Sequence, residues 1–201
     1  MVRINSSFTS YRLDYDQVIS QVQFSHYKDL PLKLAVALVN SEDVVDGTEN
    51  LDVALVQDLL DRSDLDRAPR VQKSHVAAVR RLRTQVRAVF EAASVDQAAT
   101  VVNSILRAAG ATPFVGIHGG GPHMHVAPEE RTPDGWLSAT IGMGLAELVV
   151  NYGTERFGVC SADDCRDVFI DVSRNHSRKH CSARCTNREG VRSFRRRHSA
   201  D

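Results

Sequence analysis

Residues 160–185 read CSADDCRDVFIDVSRNHSRKHCSARC, and this stretch holds every cysteine of the chain: Cys160, Cys165, Cys181 and Cys185. The spacing is C-x4-C-x15-C-x3-C. Two close pairs separated by a short spacer form the pattern of a four-thiolate zinc site. A tight turn aims each pair at one point, and the spacer brings the chain back with the second pair. A segment this small buries too little apolar surface to fold alone, so the metal would supply much of its folding energy. Four thiolates complete a tetrahedron and leave no open position for water, so one structural zinc ion is expected rather than a catalytic one. His180, beside Cys181, is the one substitute ligand nearby.

A redox thiol pair, or plain packing of four cysteines, would use the same residues. Chance packing fits poorly with 159 preceding residues that contain no cysteine. Two disulfides also satisfy the count. The first residues, Met-Val-Arg-Ile-Asn-Ser-Ser-Phe, carry no apolar h-region, so no export signal is expected. The thiols of a cytoplasmic chain should stay reduced.

Charge is divided unevenly. Residues 1–150 carry 14 Lys and Arg against 18 Asp and Glu, whereas residues 151–201 carry 11 against 7. Between Val172 and Ala200 there are nine basic residues and one acid, Glu189. A locally basic end on a neutral chain points to a polyanion-binding surface, and a solvated charged tail is the plain alternative. No apolar run reaches membrane-spanning length, so no membrane partner is expected.

The remaining periodicities predict a mainly α fold with a small β-hairpin (α+β). It comprises a helical domain over residues 1–153 and a small zinc-binding module over residues 154–201. Residues 1–30 are polar and mixed. Leu32–Val39 reads as a short buried helix with Pro31 in its first turn. Residues 40–50 form an acidic loop, and a helix follows with Leu51, Val53, Leu55, Val56, Leu59 and Leu60. Arg67–Arg70 is a connector. Gln72–Ala93 is the clearest amphipathic helix, with Val76, Val79, Leu82, Val86, Val89 and Phe90 on one face. Its Arg80, Arg81, Arg83 and Arg87 read as a solvated face rather than a nucleic-acid contact. Ser94 caps a helix ending near Ala109, and Gly110 stops it. Pro113–His118 and His123–Ala127 read as a hairpin broken by Gly119–Pro122. Asp134 caps a helix to Tyr152 whose seam is Leu137, Ile141, Leu145 and Leu148. Gly142 and Gly144 on that helix permit close helix contact. In the cysteine segment, Val168, Ile170 and Val172 alternate as in a strand. Ser182–Arg197 turns helical, with Val191 and Phe194 expected to anchor the side opposite its arginines.

These residues carry a resemblance. Cys160-x4-Cys165, then Phe169-Ile170-Asp171-Val172-Ser173-Arg174-Asn175-x-Ser177-Arg178, then Cys181-Ser182-x-x-Cys185-x-Asn187-Arg188-x-x-Val191-x-x-Phe194-Arg195 closely resembles the CGNR zinc-finger family. The Cys-Gly-Asn-Arg motif that names the family stands here as Cys185-Thr186-Asn187-Arg188. The preceding 150 or so residues resemble, by element order, the stress-induced transcription-regulator domain that accompanies the finger. The resemblance implies a bacterial cytosolic protein that binds double-stranded DNA.

A 16-residue helix is about 24 Å long and fits the major groove. Arg184, Arg188, Arg192 and Arg195 would line one side of it. Arg174, Arg178, Lys179, Arg196 and Arg197 would meet phosphates. Arginine reads guanine edges and asparagine reads adenine edges, so Arg188 and Asn187 lead as base contacts. A structural hydrogen bond beside the zinc turn is the equal alternative for Asn187.

In the hairpin, His118-Gly119-Gly120-Gly121 resembles an esterase oxyanion loop, but no G-x-S-x-G elbow accompanies it. No catalytic constellation emerges, and an enzyme is not expected. His118, His123 and His125 could bind a small-molecule effector or an ion, or simply form a polar hairpin face. The leading expectation is a DNA-binding regulator whose N-terminal domain senses an effector or forms a homodimer. A zinc-scaffolded module gripping protein or RNA is the alternative, and a zinc-ejecting redox switch is a third reading.

Overall fold

The computed structural model describes residues 26–63, 68–118 and 121–198. The readings of residues 1–25, of Arg67 in the connector, and of Gly119 and Gly120 in the hairpin break lie outside them. Within the described residues, six helices and three two-stranded antiparallel ladders follow in the order α1 (His26–Val39), β1 (Glu42–Asp43), β2 (Thr48–Glu49), α2 (Val53–Asp61), α3 (Lys73–Phe90), α4 (Val95–Ala108), β3 (Thr112–His118), β4 (Gly121–Ala127), α5 (Pro133–Tyr152), β5 (Phe157–Val159), β6 (Val168–Ile170) and α6 (Ala183–His198). The fold is mainly helical with small hairpins, as the periodicities predict.

Helix α5 is the hub and packs on α1, α3 and α4. Its predicted seam, Leu137, Ile141, Leu145 and Leu148, is fully buried, and so are Ala139, Gly142 and Gly144 on its other sides. A helix buried on several faces must let its neighbours approach closely. A methyl group placed on Gly144 would lie 2.5 Å from Pro31 Cβ on α1, and one on Gly142 would lie 2.9 Å from Leu106 Cδ2 on α4. The two glycines therefore set the distances of two helices from the hub. The helix starts at Pro133 and is capped by Thr132, whose Oγ1 accepts from the Gly135 N–H at 3.2 Å. Asp134, expected as the cap, sits in the first turn instead. Proline fits the first helical position, where no N–H is needed, and this moves the cap one residue back.

Other boundaries differ modestly. Helix α1 begins at His26, so Pro31 lies inside it rather than in its first turn. Ser94 caps α4 through the Gln97 N–H, and Gly110 follows that helix at φ +56°, a value glycine adopts without strain. The β3–β4 hairpin closes with His118 opposite Gly121, so the break is two residues, not four.

The arginines of α3 depart most from expectation. Arg83 is 3 % exposed and forms a two-pronged pair with Glu49, each N···O at 2.7 Å, with Ser41 and Glu42 also in contact. Arg80 reaches the same Glu49 at 2.9 Å. Arg87 donates to the Val39 and Arg166 carbonyls. Three residues read as a solvated face thus hold the acidic 40–50 segment and the cysteine segment against the core. A paired, multiply bonded guanidinium tolerates burial where a lone one would not.

The cysteine segment joins that core directly. Phe157, Val168 and Ile170 belong to the same apolar cluster as the helices. Asn40, just after α1, donates to the Val168 carbonyl at 3.0 Å and accepts from its N–H at 2.8 Å, as a paired strand would. The ring of Phe157 packs edge-on against Phe90 of α3.

Two outcomes follow. Gly144→Ala should lower the unfolding free energy by about 1–3 kcal/mol, because the α1–α5 crossing is already in contact; urea titration measures it. The Arg83 hydrogen bonds are the largest influence holding the Glu49 carboxyl at about 2, against an ordinary value of 4.5. Its contribution to stability is complete above pH 4.5 and lost as the pH falls towards 2. Glu49→Gln should flatten that part of a stability–pH curve measured by denaturant melts.

Candidate metal centre and basic helix

Two knuckles and a staple build the sulfur cluster. In the first knuckle the Cys160 N–H donates to the Asp167 carbonyl at 2.8 Å, and the Cys165 N–H donates to the Ala162 carbonyl at 3.1 Å. The second pair straddles the start of α6, where Ser182 Oγ accepts from the Cys185 N–H at 3.3 Å. The segment between them is held from inside. Asp171, 2 % exposed, accepts from the N–H groups of Ser173 at 2.7 Å and Arg178 at 2.9 Å. Burial works against this charge, but the Ser173 hydroxyl and the two N–H donors keep the carboxyl below its usual range. Arg178 then folds inward. Its guanidinium donates to the carbonyls of Ile170, His180 and Cys181 and lies over the Phe169 ring.

The four Sγ atoms lie within 4.8 Å of one another. Cys181 Sγ is 3.6 Å from Cys165 Sγ and 3.6 Å from Cys185 Sγ. Zn–S bonds of about 2.3 Å in a tetrahedron require an S···S edge of about 3.8 Å, so the cage fits one zinc ion. These separations are far longer than a disulfide bond of about 2.05 Å, and all four cysteines are free. Cys160, Cys165 and Cys185 are buried and Cys181 is half-buried. Burial pushes the Cys165 thiol up to about 12 and raises Cys181 as well. Bare thiolates are therefore costly here, and a dication is what would let four of them coexist. Cys185 goes the other way. Its burial is outweighed by the Ser182 hydroxyl, the neighbouring sulfurs and the Arg188 charge, which together lower its thiol. His180 stays outside the cluster and serves through its carbonyl.

Helix α6 hangs from this cage. Cys185 is its only buried residue. Two ion pairs add to that anchor. Arg188 Nη2 lies 2.7 Å from Asp164 Oδ1 and 3.2 Å from Cys185 Sγ. Arg192 bridges Asp164 Oδ2 at 2.6 Å and Glu189 Oε1 at 2.7 Å. Desolvation opposes the Asp164 charge, yet the Arg192 hydrogen bond and the charges of Arg188 and Arg192 hold its carboxyl below the usual range. Thr186, where the family motif has glycine, sits in the first turns of the helix with Oγ1 donating to the Ser182 carbonyl at 3.1 Å. Nothing in that conformation demands glycine.

The proposed contact residues therefore divide. Arg178, Arg188 and Arg192 are engaged within the finger. Arg174, Lys179, Arg184, Asn187, Arg195, Arg196 and Arg197 are exposed. Asn187 makes no side-chain hydrogen bond among the described residues. Val191 and Phe194, expected to anchor α6, are 51 % and 55 % exposed. The zinc cage and Asp164 do the anchoring, so apolar contact is not required. Asp164 is not among the residues that the sequence pattern marks. Its signal was an acid inside the first C-x4-C loop, facing a basic helix. In the hairpin, His125 stacks on Phe114 with ring centroids 5.2 Å apart. Nothing is described of the His118 and His123 side chains, so the effector reading for those two lies outside the described side chains.

A helical domain closed by a four-cysteine zinc finger is thus the class that the fold and cage define. Residues 32–152 match the family described as "Putative stress-induced transcription regulator", and residues 156–198 match the CGNR zinc finger. The chain belongs to that regulator family and carries the finger at its C-terminal side. No curated protein matches the chain. The cofactor is one zinc ion, and Cys160, Cys165, Cys181 and Cys185 are the residues that would hold it.

Purified protein should contain one equivalent of zinc by elemental analysis. Cys181→Ala should lose it, and circular dichroism should show loss of helix equivalent to α6 while the helical core still melts cooperatively.

Proposed function

We propose that the protein is a cytoplasmic transcription regulator that binds double-stranded DNA through α6 and the loop before it. The observation that carries this reading is the division of cations in the finger. One set is spent holding the helix in place. The other, comprising Arg174, Lys179, Arg184, Arg196 and Arg197, is exposed on the loop and the projecting helix. Zinc supplies the rigidity that keeps this surface in one shape, and the charge supplies affinity for a polyanion.

The N-terminal domain serves sensing or pairing in this reading. Support for pairing with a second copy comes from the β3–β4 hairpin. By its register Pro113, Val115, Ile117, Pro122, Met124 and Val126 share one face. Val115, Ile117 and Met124 on that face are 69 %, 81 % and 53 % exposed. A two-stranded hairpin alone is marginal in water, and an apolar cover would stabilise it. No membrane partner is invoked, since no helix among the described residues is long and apolar enough to cross a membrane.

The test is fluorescence anisotropy of full-length, zinc-loaded protein on a random-sequence duplex across a salt series. Binding should weaken steeply with salt, with a log–log slope of at most about −4.5 if all five of these exposed cations meet phosphates. Arg184→Ala and Lys179→Ala should each reduce that slope by about 1. Absence of duplex binding by the zinc-loaded protein, or tighter binding to single-stranded RNA or an acidic protein, overturns the reading.

A further inference from the structure

Helix α6 presents two different faces. At 3.6 residues per turn, Cys185, Arg188, Glu189 and Arg192 share one side, and the cage and Asp164 occupy it. Asn187, Val191, Phe194 and His198 follow at spacings of four, three and four, which places them together on the opposite side. All four are exposed. The rings of Phe194 and His198 stack with centroids 4.1 Å apart, which stiffens the far end of this stripe. Arg184 and Arg195 border it on one flank.

An exposed valine and phenylalanine on an otherwise strongly polar helix require a reason, because neither helps to hold the helix. Two occupants suit apolar groups: a second copy of the helix, or an apolar feature of a polyanion. Stripe-to-stripe packing of two copies would bring their bordering arginines together, and like charges oppose it. Duplex DNA offers negative charge to those arginines, and thymine 5-methyl groups in the major groove offer an apolar contact to the stripe.

Resting on the reading of the protein as a duplex-DNA binder, we infer that this outward stripe reads A·T base pairs in the major groove, with Asn187 on an adenine edge and Val191 and Phe194 against thymine methyl groups. The asparagine amide donates to adenine N7 and accepts from its N6 amino group. From Asn187 to Phe194 the helix rises about 10 Å, or about three base-pair steps of 3.4 Å. The recognised core is therefore three or four consecutive base pairs rich in A·T. Arg188, the leading guanine reader on sequence grounds, is held by Asp164 and Cys185 and contributes no base contact.

The experiment begins with selection of sites from random duplexes by the full-length, zinc-loaded protein. The recovered core should be A·T-rich. Within it, replacing thymine by deoxyuridine removes only the methyl group and should weaken wild-type binding about fourfold per contacted base, the value of one buried methyl group. The same replacement should leave Val191→Ala and Phe194→Ala indifferent at their respective bases. Replacing adenine by 7-deazaadenine should cost wild type about fivefold or more and leave Asn187→Ala unchanged. Zinc content and circular dichroism of each variant establish that the finger is intact. Duplex binding with a G·C-rich core, with no preference, or with no response to deoxyuridine overturns the inference and leaves the proposed function standing. So does a loss of self-association in Phe194→Ala, which would assign the stripe to a second copy. Failure to bind any duplex removes both.

Discussion

The architecture of the finger depends on bringing four sulfurs to one point. Helix α6 has 16 residues and only Cys185 is buried, so no apolar contact docks it on the core. Its position follows from the cage, from the Arg188 and Arg192 pairs on Asp164, and from little else. Four clustered thiolates repel one another, and burial disfavours the charged forms of Cys165 and Cys181. A dication reverses both terms together, so metal binding and the placement of α6 belong to one equilibrium. The helix then needs no apolar contact with the core, and its remaining faces can be turned towards solvent.

The cage in turn rests on the helical domain. The β5–β6 hairpin joins the cage to the main core through Phe157, Val168 and Ile170, and Asn40 pairs with β6 as if it were a third strand. Arg87 reaches from α3 to the carbonyl of Arg166, immediately after the second cysteine. A finger that grows directly from the core is oriented by it. Any change at the hub around α5 therefore has a physical route to the basic helix through α1, α3 and the hairpin. Regulator domain and finger share one apolar core, and their family matches run to residue 152 and resume at residue 156.

Charge takes three roles in this molecule, and residue type alone does not distinguish them. Arg83 is buried on Glu49 and fixes a loop. Arg178 satisfies three carbonyls that its own loop leaves open. Arg184 and Arg197 lie exposed. Burial costs an unpaired guanidinium several kcal/mol, so each buried one sits where acids or carbonyls converge. The nine basic residues between Val172 and Ala200 looked like one surface, and the structure separates them by what each guanidinium can reach.

Local signals settled much in advance. Cysteine spacing points to zinc and to the four sulfurs that the fold gathers, because a chelate depends on short loops, and short loops are visible in sequence. The 3.6-residue pattern locates α3 and α5 because burial of one face repeats along the chain, and the Ser94 cap and Gly110 stop bound α4. Pro133 displaced the cap of α5 through a choice between neighbours that the pattern alone did not resolve. What required the tertiary structure was every pairing across long separations: Arg83 with Glu49, Asn40 with Val168, and Asp164 with two arginines 24 and 28 residues later. A side chain's role there depends on which distant group arrives beside it. That is why Arg188 and Arg192 of α6 turn inward to a carboxylate while Val191 and Phe194 face water.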